Sequence, residues 1–515
     1  MSTEALPHLP RKPRRGESLE LLIERFTYKG VGAATYEALI GPQKTHRRFT
    51  VLVRKAVPGD RVIVDIEKVR KSQINARITE MLEPSPTRET PRCQHFGRRE
   101  EVNKGCGGCA VQSVGYQTQL EFKTEVTRRF LRNAGVDDSI VAPIIGCDTP
   151  WFYRNKMEFS VGDNPSHAFA IGMHPSGYKH DVIAMQECFL ESEFSASLVR
   201  ALSAWFQERG VTPYHPRRNE GFLRTLTVRE GKRTGERMVE LTTTSEPRVS
   251  VNGALVDARE LAEAFADFVL EFAQGVDGEE VTSVYWTQHH AKRGERTRFI
   301  EHHMRGAETL CEQMNLPGGR ELRFDIHPRA FFQPNTLQAE RLYAEVLERT
   351  GLLDHEGRFP GVVLDLYCGT GTIGLCMAPY AERVLGIELN AEAVENARHN
   401  ARENSIDSVE FFVGDVGEVL GSDEFIAARG GEVVDLVVVD PPRAGLMPKA
   451  LEHLEQIGAK RMVYVSCNPK ALGRDLAKLQ GLYELVSVQP VDMFPQTYHV
   501  ENVALLIKRD DSPAL

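Results

Sequence analysis

Val362-Val363-Leu364-Asp365-Leu366-Tyr367-Cys368-Gly369-Thr370-Gly371-Thr372-Ile373-Gly374 decides how this chain folds. An apolar run of strand length meets a glycine-rich turn, and the turn opens into a helical pattern. Toward the C-terminus the alternation repeats. Residues 384–388 read as a strand ending on Glu388, 391–403 as a helix, and 409–413 as a strand leading to Gly414-Asp415. Residues 433–439 lead to Asp440-Pro441-Pro442-Arg443. The next strand, in Arg461-Met462-Val463-Tyr464-Val465-Ser466-Cys467, is broken by Asn468-Pro469, and a helical stretch follows to 478. Residues 483–488 and 502–507 supply two closing strands. Alternating strands and helices predict a parallel, doubly wound α/β sheet. Such sheets bind ligands outside the carboxyl ends of their strands.

Gly369-x-Gly371-x-x-Gly374 matches the dinucleotide fingerprint and leaves an NAD-dependent oxidoreductase as a minor reading. The acids pull the other way. Asp365 suits a cationic amine, Glu388 suits ribose hydroxyls, and no dehydrogenase logic requires Asp440-Pro-Pro. With Gly369, Gly371 and Asp415 they describe a site for S-adenosylmethionine, a nucleoside joined to a zwitterion with no pyrophosphate to cradle. Cys467 at the next strand end then points to methylation of carbon. A pyrimidine C5 is a weak nucleophile until a thiolate adds to C6, and a base must afterwards remove the C5 proton. Glu501 is the candidate base and His499 its competitor.

A 515-residue chain with 41% hydrophobic and 26% charged residues fits a globular protein of about three domains. No apolar run is long enough to span a bilayer and no signal-peptide pattern opens the chain, so cytoplasmic placement, no membrane partner and a monomer are expected. Nine cysteines at uneven spacing argue against a disulfide framework. Residues 1–80 carry a net +7 while the remainder carries −16, which suggests a nucleic-acid-facing N-terminal end. Residues 1–16 read as a disordered basic arm. Short strands expected at 19–26, 49–53, 61–69 and 76–81 suggest a small β-barrel lined by Lys44, Arg47, Arg48, Arg54 and Lys55.

Cys93 and the pair Cys106-Gly107-Gly108-Cys109 have the spacing of a metal or cluster site, with a fourth thiol at Cys188 or Cys147. Four cysteines suit either zinc or an iron–sulfur cluster. Helices are expected at 120–133, 192–209 and 257–274, and strands at 224–228 and 238–242, an α+β arrangement with no assignable motif.

Residues 365–371, 440–443, 466–469 and 499–502, with Phe331-Phe332-Gln333-Pro334-Asn335 upstream, resemble the RNA uracil-5 methyltransferases. The resemblance covers nearly the whole chain. It implies an α/β Rossmann-like S-adenosylmethionine-dependent methyltransferase domain at 326–515, an N-terminal OB-like barrel (TRAM) at 17–83, and a central α+β domain at 84–325 carrying a cysteine cluster. Gln333, Tyr367, Glu388 and Asp440 would contact S-adenosylmethionine, Cys467 would be the nucleophile and Glu501 the proton-abstracting base. Cys93, Cys106, Cys109 and Cys188 would bind a [4Fe-4S] cluster, with zinc as the alternative. The gap between Cys93 and Cys106 is longer than in the family, through charged residues at 98–105. The implied substrate is a uracil of 23S rRNA, with a tRNA T-loop uridine second and a non-catalytic RNA-binding protein third.

Overall fold

The computed structural model describes residues 11–40, 43, 45–97, 105–291 and 294–509. Most of the expected basic arm, Lys44 and nearly all of the 98–105 insertion lie outside the described residues.

The C-terminal sheet has seven strands: β1 (Phe359–Leu366), β2 (Ala381–Glu388), β3 (Val409–Val413), β4 (Val434–Val439), β5 (Arg461–Ser466), β6 (Tyr483–Val491) and β7 (Glu501–Lys508). Their order is 3-2-1-4-5-7-6. The first five are parallel, and β7 runs antiparallel to both β5 and β6. Both faces are covered, which is why the strands are almost wholly apolar. Val363 and Val438 face one core, with α2 (Thr336–Thr350), α3 (Thr372–Met377) and α4 (Ala391–Glu403). Val362, Leu364 and Val437 face the other, with α5 (Pro448–Ile457), α6 (Pro469–Leu479) and part of α1 (Tyr116–Asn133).

Helix α1 lies far upstream in sequence yet docks on this sheet. It packs against α6, where a Cβ on Gly473 would fall 2.8 Å from the Phe130 carbonyl oxygen. The fully buried Lys123 of α1 sets its Nζ 2.5 Å from Asp492 Oδ1 and donates to Phe494 O at 3.0 Å. Tyr116 Oη donates to the other Asp492 oxygen at 2.9 Å. Removing one partner of a buried pair strands the other charge. Lys123→Met is therefore expected to cost about 3–5 kcal/mol, read from urea denaturation.

The central region is a mixed seven-stranded sheet ordered Arg298–Gly306, Ser283–His290, Arg237–Thr244, Leu223–Glu230, Lys156–Asn164, His167–Met173, Ile183–Ala184. Two helices, Glu193–Glu208 and Ala258–Gln274, cover one face. Ser192 and Asp257 cap them, accepting from Ser195 N and Arg259 N.

The N-terminal sheet has six strands: Ser18–Leu22, Arg25–Phe26, Gly32–Ile40, Thr45–Val53, Arg61–Arg70 and Gln73–Glu83. Its two edge strands, Ser18–Leu22 and Arg25–Phe26, are joined through only Ile23 and Glu24, so the sheet rolls on itself. Gly32–Ile40 is not among the expected strands. Its Ala34, Tyr36 and Ala38 alternate into the core while Ala and Gly mask the strand pattern. The expected basic lining is partly neutralised. Arg48 pairs with Glu37 at 3.1 Å, and Arg54 donates to Ser176 O at 3.3 Å. Lys55 turns away from solvent, its Nζ 3.5 Å from the Phe96 ring centre and donating to Cys109 O. Arg47 stays exposed. Among the described residues no helix is long and apolar enough to cross a membrane.

Candidate active site

Strand register builds the central pair. Ser466 at the end of β5 pairs with Asn502 at the start of β7, so the next residues outward, Cys467 and Glu501, are neighbours across two strands. Asn502 Nδ2 donates to Ser466 O, and Thr127 of α1 donates to Asn502 Oδ1 at 2.9 Å. Asn468 turns the chain. Its Nδ2 donates to Arg443 O at 2.8 Å and its Oδ1 caps α6 by accepting from Lys470 N. Pro469 occupies the first turn of α6.

Cys467 is half-buried. Burial, then the charges of Glu501 and Asp440, push its thiol up to about 11, and Arg443 works against them. Glu501 is buried, and desolvation with the nearby Asp440 pushes it up to about 8. Desolvation and then Arg443 push His499 down to about 4, so it stays neutral and weakly basic. Of the two candidate bases, Glu501 has the better-matched proton affinity. Arg443 was seen in the sequence only as part of a motif. In the structure its charge acts on the Cys467 thiol, lowering its pKa against the effect of burial.

The strand-end acids gather beside this pair. Asp365 is fully buried, and both carboxylate oxygens lack a hydrogen-bond partner among the described residues. Desolvation, with smaller contributions from Asp440 and Glu388, pushes it up to about 7. Asp440, also desolvated, is pushed to about 7. Such carboxyls are poised to ionise against a cation, and S-adenosylmethionine carries both an ammonium and a sulfonium. The orphaned Asp365 oxygens therefore fit this cofactor. Asp365→Asn is expected to weaken S-adenosylmethionine binding about tenfold or more, read by calorimetry, because a charged hydrogen bond contributes roughly 1.5–3 kcal/mol.

The glycine loop is shaped by its surroundings. Gly371 has φ 76°, and a Cβ there would lie 2.6 Å from Phe411 Cζ. Tyr367 takes the left-handed conformation at φ 63° without being glycine, and burial pushes its phenol up to about 12. Gly369 N donates to Glu388 Oε2 at 3.1 Å, and Asn390 N donates to Glu388 Oε1 at 2.9 Å. Glu388 thus ties down the glycine loop. Asp415 is exposed and accepts from Gly417 N at 2.9 Å, the local geometry of a helix cap. Gln333 lies in the segment before α2, where its carbonyl accepts from Asn155 Nδ2 at 2.7 Å. Burial pushes the phenol of Tyr343 on α2 well above its ordinary value. Thr370 Oγ1 donates to Phe331 O at 3.3 Å, joining the two segments. Tyr343 has no local signature, being one apolar position of α2.

Cys93, Cys106, Cys109 and Cys188 line one cavity with Phe96, Met157 and Met185 around them. Cys147 lies elsewhere, beside Asn335 and Thr149. Gly108 N donates to Cys106 Sγ at 3.4 Å. Among the described residues no three His, Cys, Asp or Glu side chains are grouped closely enough to hold one metal ion.

The sheet order and the acids and thiol at its strand ends define a methyltransferase fold. Its similarities agree. The family profile described as tRNA (Uracil-5-)-methyltransferase matches residues 303–509. The chain is 37% identical over 458 residues to an RNA methyltransferase of Protochlamydia amoebophila, covering 87% of this chain and 98% of that one. It is 33% identical over 507 residues to one of Clostridium tetani, covering 96% and 99%. Its structure is similar to Pyrococcus abyssi tRNA (uracil-54, C5)-methyltransferase in complex with S-adenosyl-L-homocysteine. The TM-score is 0.66 at 27% identity, over 95% of this chain and 100% of that one. The chain belongs to the RNA (uracil-5-)-methyltransferase family and is an S-adenosylmethionine-dependent RNA methyltransferase. Membership sets aside the oxidoreductase and non-catalytic readings.

Proposed function

We propose that this enzyme methylates C5 of a uracil in 23S rRNA through covalent addition of Cys467. The carrying observation is the β5–β7 register, which sets Cys467 beside Glu501 at the sheet's ligand-binding edge. S-adenosylmethionine supplies the methyl group when bound. Asp365, Glu388, Asp440, Gln333, Tyr367, Gly369, Gly371 and Asp415 are the residues that would hold it. Cys467 adds to C6 and makes C5 nucleophilic. Glu501 then takes the C5 proton, the C5–C6 double bond re-forms, and the thiolate leaves. The target base must leave its stack to reach the thiol.

The rolled N-terminal sheet would act as a TRAM-like RNA-binding module. Four thiols round one cavity favour a [4Fe-4S] cluster over zinc. Tetrahedral zinc would need all four sulfurs within about 3.8 Å of each other, given Zn–S near 2.3 Å. A cluster there would be structural, holding Cys93 and Cys188 of distant segments together.

A second reading replaces rRNA by a tRNA T-loop uridine. Its support is the similarity to the Pyrococcus enzyme, which that protein's name assigns to tRNA uracil-54. The test uses 5-fluorouridine-substituted RNA, whose C5 substituent cannot leave as a proton. A stable adduct to Cys467 is expected with 23S rRNA. An adduct with tRNA alone would move the substrate to the second reading, and active enzyme with no adduct would refute covalent catalysis.

A further inference from the structure

The loop joining Arg25–Phe26 to Gly32–Ile40 reaches from the N-terminal sheet to α1 and to Tyr498, three residues before Glu501. It is a built turn. Thr27 N donates to Val31 O at 2.8 Å, Gly30 N to Thr27 O at 3.0 Å, and Val31 N to Thr27 Oγ1 at 3.2 Å. Gly30 has φ 67°, and a Cβ there would lie 2.7 Å from Val111 Cγ1 and 3.7 Å from Tyr498 Cβ. Val111 and Ala110 in turn donate their N–H groups to Gln496 O at 3.2 and 2.9 Å. Phe26 packs edge-on against Phe122 of α1 at 5.1 Å. The turn is therefore clamped to α1 and to the segment that leads into Glu501.

Tyr28 is the side chain this clamp presents. Its ring meets Phe130 of α1 at 5.2 Å and Tyr498 at 5.8 Å, both edge-to-face. Tyr498 lies against His499 at 4.3 Å, two residues before Glu501. Tyr28 remains half-buried. Burial first, and then the charges of Tyr498, Cys467 and Glu501, push its phenol up, with Arg443 acting against them.

We propose that Tyr28, carried by the N-terminal sheet, forms one wall of the pocket for the flipped uracil and packs against that base beside Cys467. The pocket is then composite: one part of the chain supplies nucleophile and base, another an aromatic wall. The N-terminal sheet does more than gather RNA by charge; it completes the site. Aromatic side chains hold unstacked bases well because every base offers a π-face. This proposal rests on Cys467 addition to a uracil.

The test measures adduct formation between the full-length protein and 5-fluorouridine-substituted RNA, in single turnover at saturating RNA. Base–aromatic stacking effects correspond to a loss of roughly tenfold to a hundredfold. Tyr28→Ala is expected to slow adduct formation by that factor, and Tyr28→Phe, which keeps the ring, by less than about threefold. S-adenosylmethionine affinity is expected to stay at the wild-type value in both, while loss of the Phe130 and Tyr498 ring contacts lowers the melting temperature of Tyr28→Ala by about a few degrees. An unchanged rate in Tyr28→Ala would overturn the proposal. So would a slower rate accompanied by an equal loss of cofactor affinity, since a purely structural residue behaves that way. Wild-type protein that methylates without any adduct would remove the premise instead, and that outcome is read before any variant is made.

Discussion

Cys467→Ala is expected to lower methyl transfer to RNA by about 10⁴-fold or more while S-adenosylmethionine binding stays intact. The size follows from chemistry. Without addition at C6, C5 of uracil has no enolate character, and positioning alone does not create it. Stability should change little, because Cys467 is half-buried at a strand end and belongs to no apolar core. Cys467→Ser is expected to be similarly inactive, since a hydroxyl ionises far less readily than a thiol. Burial holds the thiol toward its protonated form. Pushed to about 11, it is thiolate in only about one molecule in 10³–10⁴ near neutral pH. The guanidinium of Arg443 acts in the opposite sense, favouring thiolate. Incorporation of labelled methyl groups measures the effect, and activity within tenfold of wild type would exclude Cys467 as nucleophile.

How much of this site could be read from sequence depended on the distance over which each residue works. The strands of the C-terminal sheet were legible because both faces are buried, which leaves near-continuous apolar runs ending in acids and one thiol. The neighbouring positions of Cys467 and Glu501 needed only the guess that the last strand closes the sheet. Other contacts leave no local trace. Lys123 and Asp492 are 369 residues apart, and an amphipathic helix containing a lysine normally turns it to solvent. Gly32–Ile40 was hidden by small residues of low strand propensity. Tyr28 lies in a loop without a motif of its own, and only the docking of α1 brings its ring to Phe130 and Tyr498. Glu388 and Asp415 were legible as strand-end acids, but their hydrogen bonds to Gly369 and Gly417 were not. Spacing left Cys188 and Cys147 open; Cys188 borders the cavity lined by Cys93, Cys106 and Cys109, and Cys147 lies beside Asn335 instead.

Glu501→Gln should arrest the reaction after the step that Cys467→Ala prevents. Gln keeps the shape and buries no charge, so addition to C6 and one methyl transfer are expected to proceed. The C5 proton then has no acceptor, and the thiolate is not expelled. Turnover is expected to fall about 10²–10⁴-fold, the usual contribution of a positioned base. Protein joined to methylated RNA is expected to accumulate to one equivalent and to survive denaturing electrophoresis. The pH dependence carries an independent signature. Glu501 is pushed up to about 8, and only its carboxylate accepts a proton. Wild-type turnover should therefore rise with pH through about 8, and that inflection should be missing in the variant. Stability supplies a second sign. A carboxyl whose folded value is raised from 4.5 to about 8 stabilises the protein at low pH, and that contribution is lost as pH rises through 8. The variant lacks this loss, so its melting temperature relative to wild type should climb between pH 5 and pH 9 in the absence of cofactor. An unaltered turnover number with no accumulated adduct would assign proton removal to another group.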